Sequence, residues 1–290
     1  MGTFVEHTRA LSLSLINTRY GVPLHYKFTM QMMQVEAHLD SMAIGSSSAE
    51  VVIDASVSEI ARDRGILSEF TTTVEFRVDG QFAGRGRAVA NVLSPLAYDR
   101  ARWRGGDVRS IGSAPRPTSV DPSAVGVWDP SAVVLGAHPA GPERGLWLLR
   151  VDVTHPVLFD HPLDHVPGAL VLEAARQSAR LRAGSACTDV EHLDVRFRRF
   201  LELDEPTVVA ARTRKDHDCV VDVEFSQWGE TKASGTVRLS APATRNLMQL
   251  SGPSEHNGSA RSCGVVAAER SLREQRSASD RCVLRGRPVG

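Results

Sequence analysis

Hydrophobic and polar positions change period several times along this chain. Residues 1–19 carry Phe4, Leu11 and Leu15 at helical spacing, which predicts an opening helix. Tyr20-Gly21-Val22-Pro23 ends it, because Gly suits the position after a helix and Pro cannot continue one. The period then shortens to two. Segments 24–39, 49–60, 66–79 and 81–93 alternate and are rich in β-branched residues, predicting four strands with a hairpin turn at Asp79-Gly80. Strand spacing resumes at Leu146 to Val153, and again over 189–200, 205–214, 218–227 and 231–240. Between those runs a second helix is marked from Pro167, whose missing N–H would have had no partner in a first turn. Leu170, Leu172, Ala174, Ala175 and Ala179 supply its packing positions.

The pattern repeats. Val74-Glu75-Phe76 recurs as Val223-Glu224-Phe225, Gly80 as Gly229 and Gly86 as Gly235, each pair 149 residues apart. Phe4-Val5-Glu6 with Arg9 parallels Val171-Leu172-Glu173 with Arg176, and Gln34-Val35-Glu36 echoes Asp189-Val190-Glu191. Two copies of one α+β unit, a helix followed by a strand meander, are the economical reading. The units are expected over 1–98 and 146–242, joined by a Pro/Gly/Arg-rich linker over 99–145. The later linker, with Trp128 and Val133-Val134-Leu135, is expected to pack on the second unit. A Ser- and Arg-rich tail over 243–290 is expected to be mostly disordered, with a brief helix possible around Val265 to Glu274. A curved antiparallel sheet on one helix leaves a sheet edge and a helix side uncovered, and pairing two copies closes both. The first copy has no counterpart of the strand and loop that precede the second helix, so it is expected to be incomplete at its start.

Composition narrows the function classes. The 290 residues include 34 basic and 34 acidic side chains, a balance that favours neither nucleic acid nor a membrane surface as partner. No apolar run approaches the roughly 18 residues of a spanning helix, and no secretory leader is apparent, so the chain reads as cytoplasmic. Cys187, Cys219, Cys263 and Cys282 are widely spaced and form no C-x-x-C pair, indicating neither a zinc site nor a disulfide framework. Asp160, His161, Asp164 and His165 are metal-ligand types, but their Pro-interrupted spacing matches no recognised geometry, and no metal or cofactor is expected.

The chemistry gathers where the second helix begins. Phe159-Asp160-His161-Pro162-Leu163-Asp164-His165-Val166-Pro167-Gly168, followed by Leu172-Glu173-Ala174-Ala175-Arg176-Gln177, resembles the A-factor biosynthesis family, the γ-butyrolactone autoregulator synthases of actinobacteria. The resemblance implies a tandem hotdog fold, each curved sheet wrapped on a long helix and the two copies forming a pseudo-dimer. It also implies an acyltransferase that joins a β-ketoacyl group, carried as an acyl-carrier-protein or coenzyme A thioester, to a hydroxyl of dihydroxyacetone phosphate.

Such a reaction needs donors for an oxyanion, a base for the incoming hydroxyl and a cation for the phosphate. The free N–H groups at Gly168 suit the first role. Glu173 is a candidate base, and Arg176, three residues on and on the same helix face, either holds the phosphate or orients Glu173. An ordinary surface pair is the competing reading of those two. His161 and His165 either act as acid or base, as the loop histidine does in hotdog dehydratases, or stiffen the loop through Asp160 and Asp164. Their spacing to Pro-Gly departs from the dehydratase pattern by two residues. Glu6 and Arg9 repeat the acid and the cation on the first helix. The alternatives are a hotdog dehydratase or thioesterase, and a non-catalytic acyl or butyrolactone binder.

Overall fold

The computed structural model of the chain describes residues 2–42, 49–103, 114–184, 187, 189–241 and 281–286. The opening helix is α1 (Gly2–Arg19), and the four strands after it are β1 (Lys27–Ala37), β2 (Val51–Asp63), β3 (Ile66–Val78) and β4 (Gln81–Leu93). Next come α2 (Pro95–Trp103), β5 (Leu135–Ala137), β6 (Leu146–Leu149) and α3 (Gly168–Ala183). The chain continues through β7 (Val190–Phe197), β8 (Val208–Arg214), β9 (His217–Gln227), β10 (Glu230–Leu239) and β11 (Arg281–Gly286). The strands form one sheet in the order β11-β2-β3-β4-β1-β7-β10-β9-β8-β6-β5. Every pairing in it is antiparallel.

This is the expected pair of hotdog units, joined edge to edge where β1 meets β7, with Val35 opposite Leu193. The register bears the repeat out: Val74 faces Gly86 in one unit as Val223 faces Gly235 in the other. The β3–β4 turn at Asp79-Gly80 has φ of 48° and 77°, and the β9–β10 turn at Trp228-Gly229 has 50° and 72°. Two successive positive φ values make both type I′ hairpin turns, whose twist matches that of the flanking strands. One proposed echo is corrected. Val35 faces Gly86 and Val195 faces Gly235, so the counterpart of Val35 is Val195 and not Val190. A three-residue likeness could not set that register, because β1 also slips by one residue between Met30 and Met32.

Helix α3 is buried on nearly every side: Val171, Ala174, Ala175 and Ala179 are fully enclosed, and the three alanines let the sheet approach closely. Helix α1 lies against β4 in the same way, where a Cβ on Gly86 would come within 2.2 Å of Thr8 Oγ1. No helix among the described residues is long and apolar enough to cross a membrane.

The linker and tail differ from expectation. Residues 95–103 form α2, capped by Ser94, whose Oγ accepts from the Ala97 N–H, and opened by Pro95 at its first position. Val133, Val134 and Leu135 are buried as expected, and β5 extends the sheet beyond β6. Trp128 does not pack: it stands fully in solvent beside the 3₁₀ turn over Pro130–Ala132 that Asp129 caps. In the tail, β11 pairs with β2 from Arg281 opposite Ser56 to Gly286 opposite Val51. It thereby takes on the first unit the place that β6 takes beside β8 on the second. The rest of the tail, including the helix suggested around Val265 to Glu274, lies outside the described residues. Cys187 and Cys219 form a disulfide, with Cα atoms 5.6 Å apart, that ties the chain after α3 to β9. Their separation of 32 residues gave no spacing signal, since the fold alone brings them together.

Candidate functional site

A cleft of about 1860 Å³ opens between the two units. Its floor is apolar, made by Phe28, Met30 and Met33 of β1, Phe70 of β3 and Ala88 and Ala90 of β4. Arg9 and Ser12 of α1, four residues of α2, the loop 157–167 and the first residues of α3 form its walls. Neither unit alone could make it. A site at a unit boundary is where ligand clefts commonly form.

The loop contributes two adjacent acid–imidazole pairs. Asp164 Oδ1 lies 2.6 Å from His165 Nδ1 and accepts the Tyr98 hydroxyl at 2.7 Å. Burial alone would raise the Asp164 pKa. The bonds from His165 and Tyr98, with Arg102 nearby, reverse this and bring it down to about 2. Burial and the Asp164 carboxylate both push Tyr98 well above the ordinary phenol range, so its hydroxyl stays protonated and donates. An ionised carboxylate can only accept, so the His165 Nδ1 carries a proton and, in the neutral tautomer, Nε2 is the ring's acceptor. Arg102 supports the loop from behind. It donates to Asp164 O at 2.7 Å and forks onto Glu202 at 2.7 and 2.5 Å. Its guanidinium lies 4.4 Å from the Trp103 ring and 4.9 Å from the Phe200 ring.

The second pair is more open. His161 Nδ1 lies 2.7 Å from Asp160 Oδ1, and Arg9 of α1 donates to Asp160 Oδ2 at 3.0 Å. Burial tends to raise the Asp160 pKa, but the bonds from Arg9 and His161 bring it below its ordinary value. Arg9, His161, His165 and Gly168 thus converge on one cleft. Gly168 opens α3 beside the floor, where a Cβ would meet Met30 Sδ at 3.4 Å, an ordinary contact. Its N–H and that of Ala169 lie in the first turn, where no helical acceptor precedes them. Two further cations on the rim, Lys27 and Arg198, make no ion pair among the described residues, whereas Arg199 and Lys232 both pair with Glu230. Among the described residues no three His, Cys, Asp or Glu side chains converge as a metal-ligand set.

Glu173 and Arg176 are elsewhere. The candidate base and cation of the sequence do not line this cleft. Arg176 forks onto Glu173 at 2.9 and 2.6 Å and donates to Val125 O at 3.2 Å. Burial opposes the Arg176 charge, and Glu173 outweighs it, raising the Arg176 pKa. Gln177, fully buried, accepts from Val134 N at 3.0 Å and donates to Ala132 O and Glu173 at 2.8 and 2.7 Å. On the first helix the equivalent cation, Arg9, reaches the histidine loop of the other unit; on the second, Arg176 meets linker backbone. The linker therefore covers the face of α3 that corresponds to the cleft face of α1. The Glu6 side chain lies outside the described residues.

Sequence reasoning missed Tyr98 and Arg102. The signal was available in Ser94-Pro95, a cap followed by a first-turn proline, with the two side chains four apart on one face.

Comparison with known proteins then identifies relatives. Residues 3–94 and 110–242 match the A-factor biosynthesis hotdog domain family. A 2-oxo-3-(phosphooxy)propyl 3-oxoalkanoate synthase from Streptomyces coelicolor is 33% identical over 209 residues, covering 72% of this chain and 65% of that protein. One from Streptomyces griseus is 34% identical over 230 residues, 78% of this chain and 74% of that one. The match thus spans slightly less than two thirds of the first relative's length. Among solved structures, an acyl-ACP thioesterase from Bacteroides thetaiotaomicron superposes with a TM-score of 0.48 at 11% identity, over 83% of this chain and 89% of that one.

Proposed function

Because the chain belongs to the A-factor biosynthesis hotdog family, we propose that it is an acyltransferase joining a β-ketoacyl thioester, of acyl carrier protein or coenzyme A, to a hydroxyl of dihydroxyacetone phosphate. The observation that carries this reading is the His165–Asp164 pair beside the open N-terminus of α3, above an apolar floor wide enough for an acyl chain.

In this mechanism the acyl chain lies along Phe28, Met30 and Phe70, and the thioester carbonyl oxygen points at the Gly168 and Ala169 N–H groups. The neutral Nε2 of His165 takes the proton of the acceptor hydroxyl as its oxygen bonds to the carbonyl carbon. The negative charge that forms on the carbonyl oxygen meets amide dipoles that need no reorientation. Collapse breaks the C–S bond and the leaving thiolate receives the proton from His165, so the base is restored. Lys27 and Arg198 on the rim supply the cationic surface for the acceptor phosphate. His161, tied to Asp160 and Arg9, closes the cleft mouth, and Glu173 with Arg176 holds the linker.

The test is to incubate the protein with a β-ketoacyl thioester and follow thiol release with and without dihydroxyacetone phosphate. Release that depends on the acceptor and yields the phosphorylated ester is expected. Equal release in its absence would assign water as the acceptor and a thioesterase role. Thioester binding without release would leave a binding protein.

A further inference from the structure

From the geometry of α2 we infer that Tyr98 is a positioning residue for the reaction: its hydroxyl shares Asp164 Oδ1 with the His165 imidazole and thereby sets the orientation of the ring, while Arg102 holds Asp164 in place. This rests on His165 being the base. It goes beyond that reading by making α2, the helix that follows the last strand of the first unit's meander, part of the site.

Three distances define the arrangement. Tyr98 Oη is 2.7 Å from Asp164 Oδ1 and 3.3 Å from His165 Nδ1, and His165 Nδ1 is 2.6 Å from the same Asp164 oxygen. One carboxylate oxygen thus accepts two hydrogen bonds, from groups on opposite sides of the unit boundary. The Phe200 ring meets both aromatic partners edge to face, 5.9 Å from Tyr98 and 4.9 Å from His165, and prevents the imidazole from swinging away.

The charged groups facing His165 are few. From its own loop there is Asp164; from α2 there are Tyr98 and, through Asp164, Arg102 at 3.4 Å from Oδ2. Behind Arg102, Glu202 neutralises much of the guanidinium charge. Across the cleft mouth the Asp160 charge is shared by His161 and Arg9. Among the described residues Tyr98 is the uncharged side chain that donates to the carboxylate behind the ring. A hydroxyl donating to Asp164 spreads its negative charge and weakens its pull on an imidazolium. Removing the hydroxyl concentrates that charge on the His165 side and changes the bond that the ring Nδ1–H makes to Asp164. The loss of one anchor also lets Asp164 rotate, which lowers the fraction of rings aimed into the cleft.

The test is Tyr98→Phe, which keeps the ring and its packing against Phe200, measured in two independent ways on the full chain. The NMR resonance of the His165 Nδ1 proton, which reports its bond to Asp164, should move away from its wild-type position. In the same protein kcat at neutral pH should fall by roughly tenfold with KM for the thioester unchanged, the signature of lost positioning. Leu96→Ala, on the exposed side of α2, should change neither. A His165 proton resonance and a kcat that both match wild type would overturn the inference. A displaced resonance in a protein that transfers no acyl group would keep the positioning and defeat the transferase reading instead. Should Tyr98→Phe not fold, Arg102→Lys removes the fork onto Glu202 and the bond to Asp164 O while keeping the charge. It should lower kcat in the same manner, and unaltered kcat would again overturn the inference.

Discussion

Gln177→Met tests whether α3 binds the linker rather than a substrate. The glutamine is fully buried and makes three bonds: from Val134 N at 3.0 Å, to Ala132 O at 2.8 Å and to Glu173 at 2.7 Å. Methionine has nearly the same volume, so no cavity opens and the change isolates the polar term. The Val134 amide is enclosed and loses its partner outright, which costs about 1–3 kcal/mol. Ala132 O is only half-buried and recovers part of its bond from water. Glu173 keeps its Arg176 fork. The sum is about 2–3 kcal/mol, which for a protein of this size lowers Tm by roughly 4–12 °C. Calorimetric and urea unfolding would measure this, alongside turnover, which should stay within about twofold because no atom of the clamp lines the cleft. Unfolding indistinguishable from wild type would refute the clamp. Collapse of kcat with stability intact would return this face of α3 to the active site.

Other outcomes follow from the same geometry. Asp164 is depressed from 3.8 to about 2 in the folded state, so it stabilises the protein above pH 3.8, and that share is lost as pH falls towards 2. Asp164→Asn should therefore flatten the dependence of unfolding on pH across that window, and an unchanged slope would contradict the network. Deleting 281–290 uncovers the outer edge of β2, and self-association detected by light scattering is expected. A monodisperse deletion with unaltered amide exchange in β2 would show that β11 does not protect it.

Much of the fold was legible because its signals are local. Alternation marks the strands, and Pro167-Gly168 marks the start of α3. The 149-residue offset marks the duplication, since both copies need a glycine at the same register point opposite a valine. What the sequence left open is which side of a buried helix meets the cleft. Glu173 and Arg176 share a face in any α-helix, and only the linker's path shows that this face is covered. Helix α2 was lost in a Pro- and Gly-rich neighbourhood despite its Ser94-Pro95 start. With it went Tyr98 and Arg102, whose partners lie 62 to 100 residues away. The Cys187–Cys219 bond and the β11–β2 pairing are long-range too, and no local period reports them.

The central claim is that acyl transfer runs on the loop imidazole and not on the helix carboxylate. The most direct measurement compares acceptor-dependent kcat for His165→Gln and Glu173→Gln against wild type, with unfolding recorded on each. The account predicts a loss of at least about 100-fold for His165→Gln with a native unfolding curve, in line with removal of a general base. It predicts near-normal kcat for Glu173→Gln. The reverse pattern, an active His165→Gln and an inert but well-folded Glu173→Gln, would contradict it.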